Sequence, residues 1–141
     1  MRILYTDGSA IPNPGKGGFA VIENGQPVAL GSEDGDTTNI RMEACAIIAA
    51  YDLAGAEKAE IHTDSQFWIN VVTIWAPAWE AKNWKKSTKG PIMNLDLVQK
   101  LYELYKTRSN VKLIWLRGHE GNEGNELADE WADKAREGAR L

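Results

Sequence analysis

The spacing of apolar and polar positions predicts β-strands in five short segments of the chain. Each segment contains apolar residues and is bounded by turn-forming or polar residues. The segments are residues 2–7, 19–22, 27–30, 59–64 and 111–116. Asn24-Gly25, between the second and third segments, predicts a tight hairpin. The Gly- and Pro-rich residues 10–18 predict a turn after the first strand.

Longer segments with apolar residues three or four positions apart predict helices. They are residues 39–55, 65–75, 95–106 and 125–139. Thr38 or Asn39 is predicted to cap the first helix, and Gly55 is predicted to end it. Pro77 is predicted to interrupt the second helix.

The order of these elements predicts a mixed α/β fold with a central sheet. Three strands come first, and the later strands alternate with helices that can serve as crossovers, so the second half of the sheet is expected to be parallel. Parallel sheets carry functional groups at the carboxyl ends of their strands. Asp7 and Asp64 both fall at such an end.

Length and composition are those of a single globular domain. The chain has 141 residues, of which 43% are hydrophobic, and no apolar run approaches the ~20 residues that cross a bilayer. The sequence enters a strand directly after Met1, so no signal peptide is expected. The lone Cys45 excludes an internal disulfide and favours a reducing, cytoplasmic location. Its helical context indicates core packing.

The distribution of charge changes what the net charge of −4 suggests about partners. Residues 80–89 contain four lysines and one acid, a local net charge of +3. A basic ridge beside an acidic site filled with cations suits a polyanion better than the total charge does.

Four acidic residues in different segments are the candidate chemistry. Asp7 and Asp64 end apolar strands, whereas Glu43 and Asp129 lie on helices, with Glu43 at the edge of an apolar helix face that should point to the sheet. Converging carboxylates repel one another unless a cation joins them. Oxygen ligands without matching thiolates or imidazoles indicate Mg²⁺ or Mn²⁺. The pattern therefore predicts a metal-dependent phosphoryl-transfer enzyme.

Five blocks of sequence, in order, resemble type 1 ribonuclease H of the bacterial kind. The blocks are Tyr5-Thr6-Asp7-Gly8-Ser9, Asn13-Pro14-Gly15 with Gly17-Gly18, Asn39-x-Arg41-Met42-Glu43, Thr63-Asp64-Ser65-Gln66, and Gly118-His119-x-Gly121-x-x-x-Asn125-Glu126-x-Ala128-Asp129. The resemblance implies one catalytic domain over residues 1–141, with a five-stranded mixed sheet, three antiparallel strands followed by parallel ones, flanked by helices. It also implies endonucleolytic cleavage of the RNA strand of RNA–DNA hybrids, leaving 3′-hydroxyl and 5′-phosphate ends.

The resemblance also implies roles for the candidate catalytic residues. Asp7 would bridge two Mg²⁺ ions, for which Mn²⁺ can substitute, and these ions would clamp both sides of an in-line displacement at phosphorus. Glu43 and Asp64 would hold one ion, and Asp129 the other. His119, on a Gly-rich loop, would shuttle protons or aid product release.

Substrate contacts are implied at eight further positions. Asn13, Asn39 and Gln66 can each donate to and accept from a 2′-hydroxyl of the RNA. The segment 75–90 resembles a basic protrusion that binds the hybrid, where Trp75 and Trp79 would pack on sugars of the DNA strand. The full set is Asn13, Thr38, Asn39, Gln66, Trp75, Trp79, Lys85 and Lys86. Two residues depart from the family pattern, Ile40 and Pro77.

Other interpretations stay open at this point. Asp133 lies one helical turn after Asp129 and competes with it for the fourth carboxylate. The chain could also be a non-catalytic hybrid-binding module, or a nuclease of similar sheet architecture such as an integrase or a junction resolvase. No obligate protein partner is evident, and a monomer is expected. Trp68, Trp115 and Trp131 are predicted to lie in the core.

Overall fold

The computed structural model describes residues 1–85, 90–118 and 120–141. Five strands are present: β1 (Arg2–Ile11), β2 (Lys16–Glu23), β3 (Gln26–Gly31), β4 (Ala59–Thr63) and β5 (Val111–Trp115). The helices are α1 (Asn39–Ala54), α2 (Gln66–Asn70), a π-helical segment (Val71–Trp75), α3 (Ala76–Ala81), α4 (Leu95–Thr107) and α5 (Glu123–Arg136).

The strands form one mixed sheet in the order β3-β2-β1-β4-β5. β1 is the central strand: it pairs antiparallel with β2 and parallel with β4. β2 pairs antiparallel with β3, and β4 pairs parallel with β5. The predicted sheet, antiparallel in its first half and parallel in its second, is confirmed.

β1 extends four residues beyond its predicted end at Asp7. Ser9, Ala10 and Ile11 continue the antiparallel ladder, opposite Gly18, Gly17 and Lys16. Pairing with β2 holds these residues extended, although their neighbourhood is rich in glycine and proline. The turn between β1 and β2 is therefore confined to residues 12–14.

Both ends of α1 are fixed by local chemistry. The Thr38 hydroxyl accepts a hydrogen bond from the backbone N–H of Arg41 at 3.1 Å, as an N-cap does. Gly55 ends the helix with φ at 54°, where only glycine adopts the backbone without strain. The predicted start at Thr38 or Asn39 and the predicted end at Gly55 are confirmed.

The predicted interruption at Pro77 was wrong, because helical backbone continues from Gln66 to Ala81. A π-helical turn precedes the proline, where the Ala76 N–H donates to the Val71 carbonyl. Pro77 then lies in the first turn of α3. The shifted hydrogen bonding of this turn lets the helix continue through a residue that has no N–H to donate.

The main core lies between the sheet and the helices on one of its faces. Leu4 and Ile61 of the sheet pack in one cluster with Ile47 of α1 and Trp68 of α2, and all four are fully buried. Trp68 thus confirms its predicted place. Trp115 does not: it is 40% exposed, because β5 is an edge strand and Trp115 is its last residue. Trp131 is half-buried, with Lys134 Nζ 4.3 Å from its ring centroid.

Across residues 1–85, 90–118 and 120–141, no helix combines the length and the apolar character that crossing a membrane requires.

Candidate active site

Two of the four candidate carboxylates lie where the central strands separate. The parallel ladder between β1 and β4 ends at the pair Thr6 and Thr63, and the next residues are Asp7 and Asp64. Asp7 stays in the sheet, opposite Ala20 of β2, whereas Asp64 leaves it. Asp7 is therefore not at the end of β1, as the sequence suggested, but at the end of its parallel half.

Glu43 reaches this point because α1 packs directly on β1 at Gly8. A Cβ atom at Gly8 would lie 2.3 Å from the backbone nitrogen of Glu43, so a larger residue does not fit there. The half-buried Glu43 carboxylate accepts a hydrogen bond from Ser65, which follows Asp64 directly. Close backbone contact thus places the α1 carboxylate beside the β4 carboxylate.

Asp129 comes from α5, which packs closely on the sheet at both ends. A Cβ at Gly18 of β2 would lie 2.2 Å from the Arg136 nitrogen, and one at Gly124 would meet the Tyr5 ring at 2.4 Å. The charge of Asp129 acts on Asp7. Asp133, the alternative, instead forms an ion pair with Arg136 at 3.5 Å. The structure therefore groups Asp129, and not Asp133, with the other carboxylates.

Burial and mutual repulsion disfavour ionisation in this group. Asp7 is only 9% exposed, and burial, followed by the negative charge of Asp64, raises its pKa to about 9. The charges of Asp129 and Glu43 act in the same direction. Burial also raises the pKa of Glu43, against the hydrogen bond from Ser65. A bound cation would offset both the cost of burying these carboxylates and their mutual repulsion.

Neutral groups hold these carboxylates. The Gly8 N–H donates to Asp7 Oδ1 at 2.8 Å, and the Asn125 amide donates to Asp64 Oδ2 at 3.2 Å. Within the part of the chain that the structure describes, no lysine, arginine or histidine forms an ion pair with any of the four acids. An uncompensated group of hard oxygen donors matches the preferences of Mg²⁺ and Mn²⁺.

The carboxylates are neighbours but do not form a ready-made cage. Among the described residues, no group of three or more His, Cys, Asp or Glu side chains is arranged to hold a metal ion. Ionised carboxylates repel one another, which favours arrangements that keep their oxygens apart. Binding an ion here would therefore require some of the carboxylates to rotate toward it.

Three of the predicted substrate contacts meet at the start of α1. The Asn39 side-chain oxygen accepts a hydrogen bond from the Ala10 N–H at 2.6 Å, and the Asn13 side-chain oxygen accepts one from the Asn39 N–H at 3.2 Å. Thr38 is the N-cap between them. These bonds hold both amide oxygens, so the amide NH₂ groups are the atoms that can face a ligand. Gln66 is exposed in the first turn of α2 and donates to Asn70 at 3.1 Å.

The predicted tryptophan contacts belong to a row of aromatic rings that begins near Asp64. Phe67 and Trp75 have ring centroids 5.6 Å apart, and Trp75 and Trp79 have theirs 6.4 Å apart. With Ile92 and Met93 these rings line an open pocket of about 320 Å³. Trp75 is 37% exposed, whereas Trp79 is half-buried and packs against the core.

The basic positions differ in what the structure shows of them. Lys85 is exposed after α3. Lys106 of α4 is 2.8 Å from Glu80 of α3, so it joins the two helices, and its Nζ lies 4.6 Å from the centroid of the Tyr102 ring. Lys86 and His119, which the sequence assigned to substrate binding and to proton transfer, lie outside the described residues.

Sequence reasoning missed two residues of the site, Ser65 and Asn125, although both lie within the blocks that carried the resemblance. Ser65 donates to Glu43 and also caps α2 through the Trp68 N–H at 3.3 Å. Asn125 lies four positions before Asp129 on α5, a spacing that places both on one helix face. That spacing was the available signal for Asn125.

Comparisons with known proteins find a family that matches nearly the whole chain. Residues 1–137 match the family model described as RNase H. The Ribonuclease H of Caulobacter sp. (strain K31) is 41% identical over 133 residues, which cover 92% of this chain and 86% of that protein.

Two solved structures are similar in fold. LC9-RNase H1, described as a type 1 RNase H with the type 2 active-site motif, superposes with a TM-score of 0.80 at 30% identity, covering 97% of this chain and 72% of the other. A foamy viral protease-reverse transcriptase in complex with an RNA/DNA hybrid superposes with a TM-score of 0.78 at 21% identity, covering 96% of this chain and 20% of the other, a likeness of fold alone.

Proposed function

Because this chain belongs to the ribonuclease H family and is a ribonuclease, we propose that it hydrolyses the RNA strand of RNA–DNA hybrids at internal positions. The reaction uses two divalent metal ions and leaves 3′-hydroxyl and 5′-phosphate ends. One observation carries the proposal: the negative charges of Glu43, Asp64 and Asp129 all act on the buried Asp7 where β1 and β4 separate, with neutral hydrogen-bond donors and no described cationic partner.

The four carboxylates are the proposed metal ligands. Asp7 would serve both ions, with Glu43 and Asp64 helping to hold one and Asp129 the other. Bound Mg²⁺ or Mn²⁺ would supply positive charge at the reacting phosphate and acidify a water molecule. The protein supplies rigid placement, since Gly8 and Gly18 let α1 and α5 approach the sheet at backbone distance. His119 is proposed to accept or return a proton.

Recognition of the RNA strand is proposed to use the amides beside the carboxylates. The NH₂ groups of Asn13 and Asn39 can donate to 2′-hydroxyls, which lie exposed in the shallow minor groove of an A-like duplex. Gln66 is placed on the Asp64 side of the same region, and Thr38 holds the start of α1. DNA lacks the hydroxyl, so these contacts favour cleavage of the RNA strand.

The DNA strand is proposed to lie along the aromatic row and the basic protrusion that follows it. Trp75 presents its exposed face to sugars, and Trp79 supports it from the core side. Lys85 and Lys86 are proposed to pair with phosphates. We also propose that the enzyme acts as a monomer in the cytoplasm, where its single cysteine stays reduced.

A cleavage assay with paired variants tests the proposal. Asp7→Asn and Asp129→Asn should each lower kcat for a labelled RNA–DNA hybrid by more than about 100-fold, beyond the usual effect of losing an outer-shell partner. Asp133→Asn is the matched control on α5, and it should retain cleavage because Asp133 pairs with Arg136. Metal chelation should stop the reaction, and Mg²⁺ or Mn²⁺ should restore it.

The same assay separates the competing interpretations. Tight hybrid binding without cleavage in either metal would identify a binding module. Equal cleavage of plain duplex DNA would identify a nuclease of the integrase or resolvase type. Full activity of Asp7→Asn would remove Asp7 from the proposed metal site.

A further inference from the structure

Asn125 is a buried polar residue that contacts the proposed metal site without being one of its ligands. It is 3% exposed, and its side-chain Nδ2 donates to Asp64 Oδ2 at 3.2 Å. Its backbone is held as well, because its N–H donates to the side-chain oxygen of Asn122, the N-cap of α5, at 2.8 Å. A buried amide anchored at the start of a helix is a well-defined donor.

Asp64 depends on such contacts because it lies beyond the last ladder pair of β4. Its backbone carbonyl accepts from Trp115 Nε1 at 3.3 Å. The loop after β5 approaches Asp64 Oδ2, the oxygen that accepts from Asn125. A Cβ atom at Gly118 would lie 2.9 Å from it. Asp64 Oδ2 is therefore enclosed between α5 and this loop.

We propose that Asn125 is a positioning residue that fixes the Asp64 carboxylate for divalent-metal binding, an inference that rests on the proposed function. By occupying Oδ2, the amide restricts rotation of the carboxylate and leaves Oδ1 as the oxygen available to an ion. A neutral donor does this without cancelling the negative charge, whereas a lysine or arginine would compete with the metal. Outer-shell partners of this kind orient metal ligands in many sites.

The position of Asn125 on α5 also links two ligands. Asn125 and Asp129 are four residues apart on the same helix, so a shift of α5 moves the proposed Asp129 ligand and the group that orients Asp64 together. The proposed ligands Asp64 and Asp129 thereby share one rigid support.

The test compares Asn125→Ala and Asn125→Leu with Asn122→Ala. Leucine keeps the branched shape of asparagine without a donor, and Asn122→Ala weakens the helix cap without touching Asp64. Two quantities are measured for each folded protein: the Mn²⁺ concentration that half-saturates the rise in Tm, which needs no catalysis, and the Mn²⁺ dependence of hybrid cleavage.

Both Asn125 variants should need about 10- to 100-fold more Mn²⁺ in each measurement. Asn122→Ala should lower Tm in metal-free buffer but change the Mn²⁺ requirement much less than either Asn125 variant, because it loosens the helix start and keeps the Asn125 donor. A wild-type Mn²⁺ requirement in Asn125→Leu would overturn the proposal and reduce Asn125 to a packing role. Failure of the wild-type protein itself to cleave hybrids in Mn²⁺ would overturn the proposed function instead, while the Tm titration would still report on Asn125.

Discussion

Asp7 is a buried acid surrounded by other acids, and this makes the metal-free protein less stable than its fold would otherwise be. Its pKa is raised to about 9 by burial and by Asp64. In the unfolded chain an aspartate titrates near 3.9. Between these values the unfolded state releases a proton that the folded state keeps, so the free energy of unfolding falls as pH rises.

Asp7→Asn should therefore stabilise the metal-free protein, and increasingly so as pH rises. Below the unfolded pKa both proteins carry a neutral group at position 7, and the wild type has lost nothing. Between about pH 4 and pH 9 the wild type progressively loses stability that the variant keeps, and above about pH 9 the difference levels off. Urea unfolding in chelator should show little variant advantage below pH 4 and an advantage that grows above it by up to about 1.4 kcal/mol per pH unit through pH 8. A constant advantage at all pH values would contradict the raised pKa.

The sequence could assign a role to a single residue where neighbouring residues determine that role, and could not where the folded structure determines it. The sequence pattern named Asp7, Glu43, Asp64 and Asp129, and the structure brings their charges together. It left Asp133 as an alternative to Asp129, because residues one turn apart share a helix face. The effect of Asp129 on Asp7 and the contact of Asp133 with Arg136 separate the two, and both depend on how α5 packs on the sheet.

Among the secondary-structure elements, α1 was predicted to its ends, whereas β1 was not. The Thr38 cap and Gly55 act within one helical turn, so the sequence alone contains the information. Residues 8–11 of β1 are extended because they pair with β2, a contact that no local pattern reports. Pro77 was misread for a related reason: the π-helical turn before it changes which N–H groups bond.

The contact between α1 and β1 at Gly8 gives a prediction for this pair of elements. In Gly8→Ala the new methyl would meet Met42 and Glu43 backbone atoms at 2.3 Å, so α1 must move. We expect a loss of about 3 kcal/mol in unfolding free energy, together with weaker Mn²⁺ binding, because Glu43 moves with the helix. Denaturant unfolding and the Mn²⁺-induced rise in Tm are the measurements.

Gly35→Asn is the matched control for Gly8→Ala. Gly35 has φ at 72° with open space around it, and asparagine tolerates that backbone conformation better than most residues do. Its stability and Mn²⁺ binding should stay close to those of the wild type. Equal destabilisation by the two changes would mean that close packing at Gly8 is not the cause.

The π-helical segment and α3 together present the two tryptophans, and substitution should distinguish them. Trp75→Ala should raise KM for the hybrid and leave Tm little changed. The rise should correspond to a loss of about 1–3 kcal/mol in binding free energy, the range for losing one stacking partner. Trp79→Ala should lower Tm as well, because Trp79 packs against the core. Steady-state kinetics and thermal unfolding measure both effects. An unchanged KM in Trp75→Ala would place the DNA strand elsewhere.

For the whole molecule, the negative net charge and the basic protrusion predict strongly salt-dependent binding. Each phosphate contact releases counterions, so log K should fall linearly with log salt. Lys85→Ala should reduce the slope by about 1, and Lys106→Ala should leave the slope unchanged because Lys106 is paired with Glu80. Hybrid binding by a metal-free, inactive Asp7→Asn protein gives both slopes. Equal slopes for wild type and Lys85→Ala would remove Lys85 from the interface.

The order of the strands in the sheet was predictable only in part from the sequence. The crossover rule indicated that the later strands would be parallel, and the hairpin signal indicated that β2 and β3 would pair. That β1 is central, with β2 on one side and β4 on the other, follows from packing of both faces at once. This central place is what brings Asp7 among carboxylates from β4, α1 and α5.

The central place of β1 also bears on biosynthesis. The ribosome releases β1 before α5. Asp7 therefore leaves the ribosome more than 120 residues before Asp129, its proposed partner in metal binding. A nascent chain that has formed most of the sheet still lacks one side of the proposed metal site. If Asp129 is a metal ligand, as proposed, the nascent chain should be unable to cleave RNA–DNA hybrids until α5 has been translated.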